Sequence, residues 1–186
     1  MKKSLVVVLA TSLLAATFSG TTLASEADGI KEKLIRSSLY TTDFDNVIGQ
    51  VQRREFSEAY PNLLQFARYG EKYAQYSLGL LLITGEEVPL DIEQGLVWMR
   101  LAIEQKTSDW ETRYKAVTKN LTKEQLSALE PMYQEYKRKY GAKAQKMHCG
   151  TETRKGSKMR IHICRKPLLN QEFHAVIEYA DDKPVK

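Results

Sequence analysis

Four residues in the last quarter of the chain could do chemistry by type and spacing: His148, Cys149, His162 and Cys164. Two Cys and two His are the ligand set of a structural zinc site. Against that reading, His148 and Cys149 are adjacent, and neighbours in sequence rarely converge on one tetrahedral centre. Strand alternation also turns His162 away from the face of Ile161 and Ile163. In an oxidising compartment the same cysteines form a disulfide. A bridged sulfur is no nucleophile, so His148 beside Cys149 does not make a Cys–His pair for acyl transfer. His174 has Glu172 close in sequence but no companion motif. These residues favour a Cys149–Cys164 disulfide. They assign no catalytic residue, no metal and no cofactor, and leave a hydrolase as the weakest functional reading.

Other residues could bind rather than react. Lys137, Arg138, Lys139, Lys143, Lys146, Arg154, Lys155, Lys158, Arg160, Arg165 and Lys166 form a basic cluster. It could attract an acidic protein, an anionic lipid or a glycan, or be a solvated surface. A hairpin would gather Arg154, Lys158 and Arg160 into one patch. Tyr69, Tyr73 and Tyr76, and later Tyr133, Tyr136 and Tyr140, offer aromatic surface that either docks a peptide or packs between helices.

Charge divides the chain. Residues 25–136 hold 13 Lys/Arg and 18 Asp/Glu, a balance of −5; residues 137–186 hold 13 and 5, a balance of +8. The acidic body meets the basic tail near Gly141. The N-terminus has the form of a signal peptide over 1–24: Lys2 and Lys3, the apolar run Leu5–Phe18, then Thr22-Leu23-Ala24, with cleavage expected before Ser25 and Ser25-Glu26-Ala27 as a second possibility. The competing reading is an uncleaved anchor, but the run is short against the roughly 20 residues that a span needs. Export to the periplasm or beyond argues for the disulfide. It argues against nucleic-acid binding despite a pI of about 9.1, and against stable membrane insertion after cleavage.

The elements that must position these residues are mostly helical. Ile30, Leu34, Ile35 and Leu39 predict a first helix over Asp28–Leu39. Thr41-Thr42-Asp43 reads as a stop, with Thr42 or Asp43 capping a second helix that carries Phe44, Val47, Ile48 and Val51. Ser57 can cap a third, with Ala59, Leu63, Phe66 and Ala67 in phase and Gly70 as terminator. Tyr73–Thr84 is apolar on more than one face, as in a helix buried between neighbours. Gly85 closes it, and Asp91 with Gln94 has the form of a capping box for the helix that follows. A shift of 35 residues lays Tyr60, Leu63, Phe66 and Ala67 onto Gly95, Trp98, Leu101 and Ala102. Two helices at that period are the signature of a helical-hairpin solenoid.

Ala74, Leu78-Gly79, Gly85, Val88, Asp91, Trp98 and Ala102 resemble the Sel-1-like repeat, a relative of the tetratricopeptide repeat. The pattern departs at Glu87 and Gly95, where the family has Gly and Ala, and Leu82 stands where an aromatic is common. The resemblance covers residues 44–105, with a clear repeat over 70–105 and a degenerate one over 44–69. It implies a scaffold or adaptor that docks a protein or peptide partner. Relatives rich in cysteine carry about a pair in each repeat; this chain has none there, so no activity transfers.

Residues 109–140 read as capping helices: Trp110–Asn120, then a helix capped by Thr122 with Gln125 and kinked at Pro131. From 142 to 180 a basic module follows, in which Met159, Ile161 and Ile163 alternate as in a strand. A two-residue Gly156-Ser157 turn would put Cys149 directly opposite Cys164. A third strand is expected over Glu172–Tyr179, and a loose tail over 181–186. The expected fold is mainly α: a short α-α superhelix of tetratricopeptide/Sel-1-like hairpins with a small disulfide-closed β-hairpin at its C-terminal end. Its expected role is a scaffold for an unknown protein or peptide partner, and the alternative is a binder of an anionic envelope polymer.

Overall fold

The period of three to four apolar residues is realised as helices over most of the chain. The computed structural model describes residues 29–154 and 156–182, so the leader expected over 1–24 lies outside them. In order, the elements are β1 (Ile30–Arg36), α1 (Ser37–Gln52), α2 (Phe56–Arg68), α3 (Lys72–Thr84), α4 (Ile92–Ala102), α5 (Ser108–Thr118), α6 (Lys123–Ala128), α7 (Glu130–Tyr140), β2 (His148–Thr153), β3 (Arg160–Arg165) and β4 (Phe173–Tyr179). A single 3-10 turn, Ile103–Gln105, follows α4.

Helix pairs α1–α2 and α3–α4 are the two hairpins of the stack, and the 35-residue shift superposes α2 on α4 in sequence. Helix α3 is packed between neighbours: Ala74, Leu78, Gly79, Leu81 and Leu82 are all buried. Gly85 ends it in the left-handed region at φ +66°, a conformation glycine reaches without a Cβ penalty. Asp91 caps α4, its Oδ1 accepting the Gln94 N–H at 2.9 Å. The return bond of a full capping box is absent, because the Asp91 N–H donates to the Leu82 carbonyl instead, 2.9 Å away. Helices α3 and α4 touch backbone to backbone. A methyl on Gly79 would lie 2.7 Å from the Gly95 carbonyl oxygen, and one on Gly95 would lie 2.7 Å from the Gly79 oxygen. Trp98, Leu101 and Ala102 fill the space between α4 and its neighbours. Trp98 meets the Tyr136 and Tyr140 rings of α7 at 4.7 and 5.3 Å. Thr122 and Gln125 form the full reciprocal capping box of α6.

The structure corrects five expectations. Residues 30–36 form a strand, not a helix: β1 pairs antiparallel with β4, Ile30 opposite Tyr179 and Arg36 opposite Phe173. IKEKLIR satisfies both periods, and the strand that completes its ladder lies far away in sequence. Helix α1 starts at Ser37 and runs through Thr41-Thr42-Asp43 without a side-chain cap. Tyr40 and Val47 bury one continuous face there, and packing outweighs the local stop signal. The kinked helix is two helices broken at Leu129, with Pro131 in the first turn of α7, where its missing N–H leaves no bond unmade. The hairpin reversal is wider than a Gly156-Ser157 pair: the Ser157 N–H donates to the Arg154 carbonyl and the Arg154 N–H to that of Met159. The register is unaffected, and Cys149 faces Cys164 across β2–β3. Finally, Asp181 and Asp182 are not loose. Lys139 Nζ pairs with Asp181 at 2.6 Å, and the Tyr140 hydroxyl donates to Asp182.

The β1–β4 pair also crosses the boundary drawn at Gly141. The helical body and the C-terminal module share a two-stranded sheet made from both ends of the described chain.

Candidate functional site

The module is joined to the helices by buried polar groups. Gln145 is fully buried. Its side-chain amide pairs with β4 as a strand would: Nε2 donates to the Ile177 carbonyl at 2.9 Å and Oε1 accepts the Ile177 N–H at 3.1 Å. Nε2 also donates to the Lys139 carbonyl at 3.0 Å, at the end of α7. Nearby, Lys72 Nζ donates to Glu104 Oε2 at 2.8 Å and to Gln75 Oε1 at 3.0 Å. Glu104 Oε2 also accepts the Ala142 N–H at 2.8 Å. Tyr40 donates to Glu71 at 2.7 Å. Burial raises the Glu71 carboxyl against the opposing pull of Tyr40, Lys166, Lys72 and His174. Burial lowers Lys72 and takes Lys166 down to about 8. Lys166 donates to the Gln145 carbonyl at 2.9 Å. No buried side-chain polar atom among the described residues lacks a partner. This joint is satisfied internally and leaves little with which to grip a ligand.

A cleft of about 710 Å³ opens between β1, α1 and α2. Asn46 and Gln50 line it from α1, Asn62 and Gln65 from α2, with Tyr40, Phe66 and Tyr69 deeper and Lys33 and Asp43 at the sides. Positions 46 and 50 of α1, and 62 and 65 of α2, recur at helical spacing, so each helix turns a pair of amides to the same gap. An amide carries donor and acceptor together and can match a peptide backbone without a net charge. Sequence reasoning passed over these four residues because no single one forms a motif; the signal was their shared face on two consecutive helices.

The structure separates the sequence candidates. Tyr69 is buried: its hydroxyl donates to Glu178 at 2.8 Å, its ring stands 6.0 Å from Phe66, and burial pushes its phenol up to about 12. Only part of it reaches the cleft floor. Tyr76 stacks on Trp110 of α5 at 4.7 Å, which makes it a packing residue between helices. Tyr73 is half-buried and does not line the cleft. Arg154, Lys158 and Arg160 are exposed on the hairpin, with no ion pair among the described residues. The rest of the basic cluster is partly used up: Lys139 and Lys166 are buried, Lys146 pairs with Glu32, and Arg165 pairs with Glu152.

The candidates for chemistry are likewise taken. Cys149 and Cys164 are bridged. His162 Nδ1 sits 3.0 Å from the Gln105 carbonyl, which ties β3 to the end of the second hairpin. Glu172 pairs with Arg36 rather than with His174. His174 Nε2 lies 3.2 Å from Ser37 Oγ, and its Nδ1 lies 3.0 Å from the Pro167 carbonyl.

The features carrying the repeat motif are arranged as one unit. Gly85 closes α3, Asp91 caps α4, Gly79 meets Gly95, and Ala74, Leu78, Trp98 and Ala102 are buried. Glu87, where the pattern has glycine, sits in the left-handed region at φ +58°. Glu87 thus adopts a conformation that favours glycine. No family model matches the chain. Alginate biosynthesis protein AlgK of Azotobacter vinelandii is 28% identical over 131 residues, which are 67% of this chain and 28% of that protein. That relative matches two thirds of this chain. A solved protective antigen of uropathogenic Escherichia coli strains, described as displaying an SLR fold, is 26% identical over 62% of this chain and 27% of its own, with a TM-score of 0.47. The chain thus spans little more than a quarter of the length of either relative.

Proposed function

We propose that the protein is an exported scaffold whose first helical hairpin docks an extended segment of a partner protein. The amide-lined cleft between β1, α1 and α2 carries this reading. It sets the amides of Asn46, Gln50, Asn62 and Gln65 along two repeat helices, with Gln65 also donating to the Tyr69 hydroxyl at 2.7 Å. The Cys149–Cys164 bridge supports an oxidising compartment such as the periplasm, and the leader-like N-terminal sequence supports the same route. No described helix is long and apolar enough to cross a membrane. The reading includes no catalytic step: the hydroxyl of Ser37 and the ring of His174 serve as a tie between α1 and β4.

A second reading is favoured by the three exposed cations Arg154, Lys158 and Arg160, which have no ion pair among the described residues and suit an anionic envelope polymer. Affinity recovery from envelope extract separates the two. Under the scaffold reading, Asn46→Ala with Asn62→Ala abolishes recovery of a defined protein, and Arg154→Ala/Lys158→Ala/Arg160→Ala leaves it intact. The reverse pattern, with recovery falling as salt rises, replaces the scaffold with the polymer binder.

A further inference from the structure

Among the described residues strand β1 has one strand partner, β4, and one open edge. The Ser37 N–H donates to the Glu172 carbonyl, and the Gly29 carbonyl accepts the Ala180 N–H. Odd-numbered residues therefore direct their backbone groups at β4. Even-numbered residues Ile30, Glu32, Leu34 and Arg36 direct theirs outward, and among the described residues nothing pairs with them. The other side of the sheet is closed, since the Gln145 amide occupies the edge of β4 at Ile177. Along β1 every residue but Ile35 is exposed, including Ile30 at 47% and Leu34 at 56%. An edge of this length with apolar residues on it is a template for another strand.

We infer that this edge joins two copies of the chain, β1 antiparallel to β1, in a register centred on Leu34. Outward groups must meet outward groups, so even positions pair with even positions. The sequence then chooses among the registers. Centring on Glu32 places Glu32 opposite Glu32 and Lys31 opposite Lys33. Centring on Lys33 places Lys33 opposite Lys33. Centring on Leu34 places Leu34 opposite Leu34, Glu32 opposite Arg36 twice over, and Lys33 opposite Ile35. It is the one of the three with no like-charge pair and with two opposite-charge pairs, and cross-strand pairs of this kind set register. The contact is isologous, as a two-fold axis requires. It extends the two-stranded sheet to the four-stranded order β4-β1-β1-β4. It does not depend on the cleft, which takes Lys33 and Ile35 from the other set of residues.

Sedimentation of the wild-type protein at rising concentration is the first measurement. The mass climbs toward the dimer as concentration rises, as for the weak association of a small interface. Glu32→Arg sets Arg against Arg36 at two symmetric places and weakens association about tenfold. Glu32→Arg with Arg36→Glu restores it. Loss of the exposed Glu32–Lys146 and Arg36–Glu172 pairs leaves the fold intact, since surface pairs contribute little.

Register is read by oxidation of single-cysteine variants, because both native cysteines are already bridged. Leu34→Cys cross-links copy to copy. Glu32→Cys and Arg36→Cys do not, since each lies about 14 Å from its own counterpart at roughly 3.4 Å per residue. A mass that stays monomeric, a double variant that fails to restore association, or Glu32→Cys cross-linking as fast as Leu34→Cys overturns the inference.

Discussion

Replacing Gln145 with leucine tests the joint between the helices and the module. The side chains are of similar size, so the effect isolates the amide. Leucine strands three groups: the Ile177 N–H, the Ile177 carbonyl and the Lys139 carbonyl. The site is fully buried, so water does not replace the lost bonds. A buried polar group left unpaired costs about 1–3 kcal/mol. The N–H sits at the upper end of that range and the carbonyls at the lower, and burial of a more apolar side chain returns about 1 kcal/mol. The net loss is about 3–5 kcal/mol, a large part of the 5–15 kcal/mol typical of a domain. Urea unfolding of wild type and variant measures it. Hydrogen exchange at the Ile177 amide localises it, because that amide loses its acceptor. Gln145→Glu gives a second reading. It keeps the acceptor but sets carboxylate oxygen against two carbonyl oxygens, which raises the folded-state pKa of the new carboxyl. Stability is then lowest near neutral pH and recovers as acid protonates the group and lets it donate again. A loss below about 1 kcal/mol for Gln145→Leu, with unchanged protection at Ile177, refutes the reasoning.

Gly79→Ala gains up to about 1 kcal/mol of helix propensity, yet its methyl meets backbone at 2.7 Å; unfolding is expected to show a net loss of about 2 kcal/mol, as overpacking does. Removing the bridge with Cys149→Ser/Cys164→Ser, which opens a loop of 15 residues, costs about 3 kcal/mol by calorimetry. Lys166 has a folded pKa of about 8 against about 10.4 unfolded, so between those values the unfolded chain binds more protons and stability rises with pH. Lys72, also lowered by burial, acts in the same sense. Above about pH 10 the trend reverses, because burial holds Tyr40, Tyr69 and Tyr140 protonated only in the folded state. Lys166→Met is expected to reduce the rise between pH 8 and 10 in a stability–pH series.

The second hairpin was legible because its signals are local. Gly85, Asp91 and the apolar spacing of α3 and α4 act within one or two turns, and the 35-residue period repeats them. The hairpin register was legible because two cysteines and an alternating strand agree. Strand β1 was not legible, since Ile30–Arg36 fits two periods and its ladder partner lies at Phe173–Tyr179. Nor was the cleft: Asn46, Gln50, Asn62 and Gln65 gain meaning only once α1 lies beside α2. The tyrosines were the most visible candidates; Tyr69 is held in the core and Tyr76 stacks on Trp110. A buried plug such as Gln145 has no sequence signature, because its partners are backbone groups from two distant elements.

The scaffold reading is tested most directly by photo-crosslinking in living cells, with the reactive side chain placed singly at Gln50, Asn62 or Gln65 in the cleft and, as control, at the exposed Glu93 of α4. The account predicts that all three cleft positions capture one and the same protein, through one contiguous segment of it, and that position 93 does not. Capture that is equal at all four positions, or absent from the three cleft positions, contradicts it.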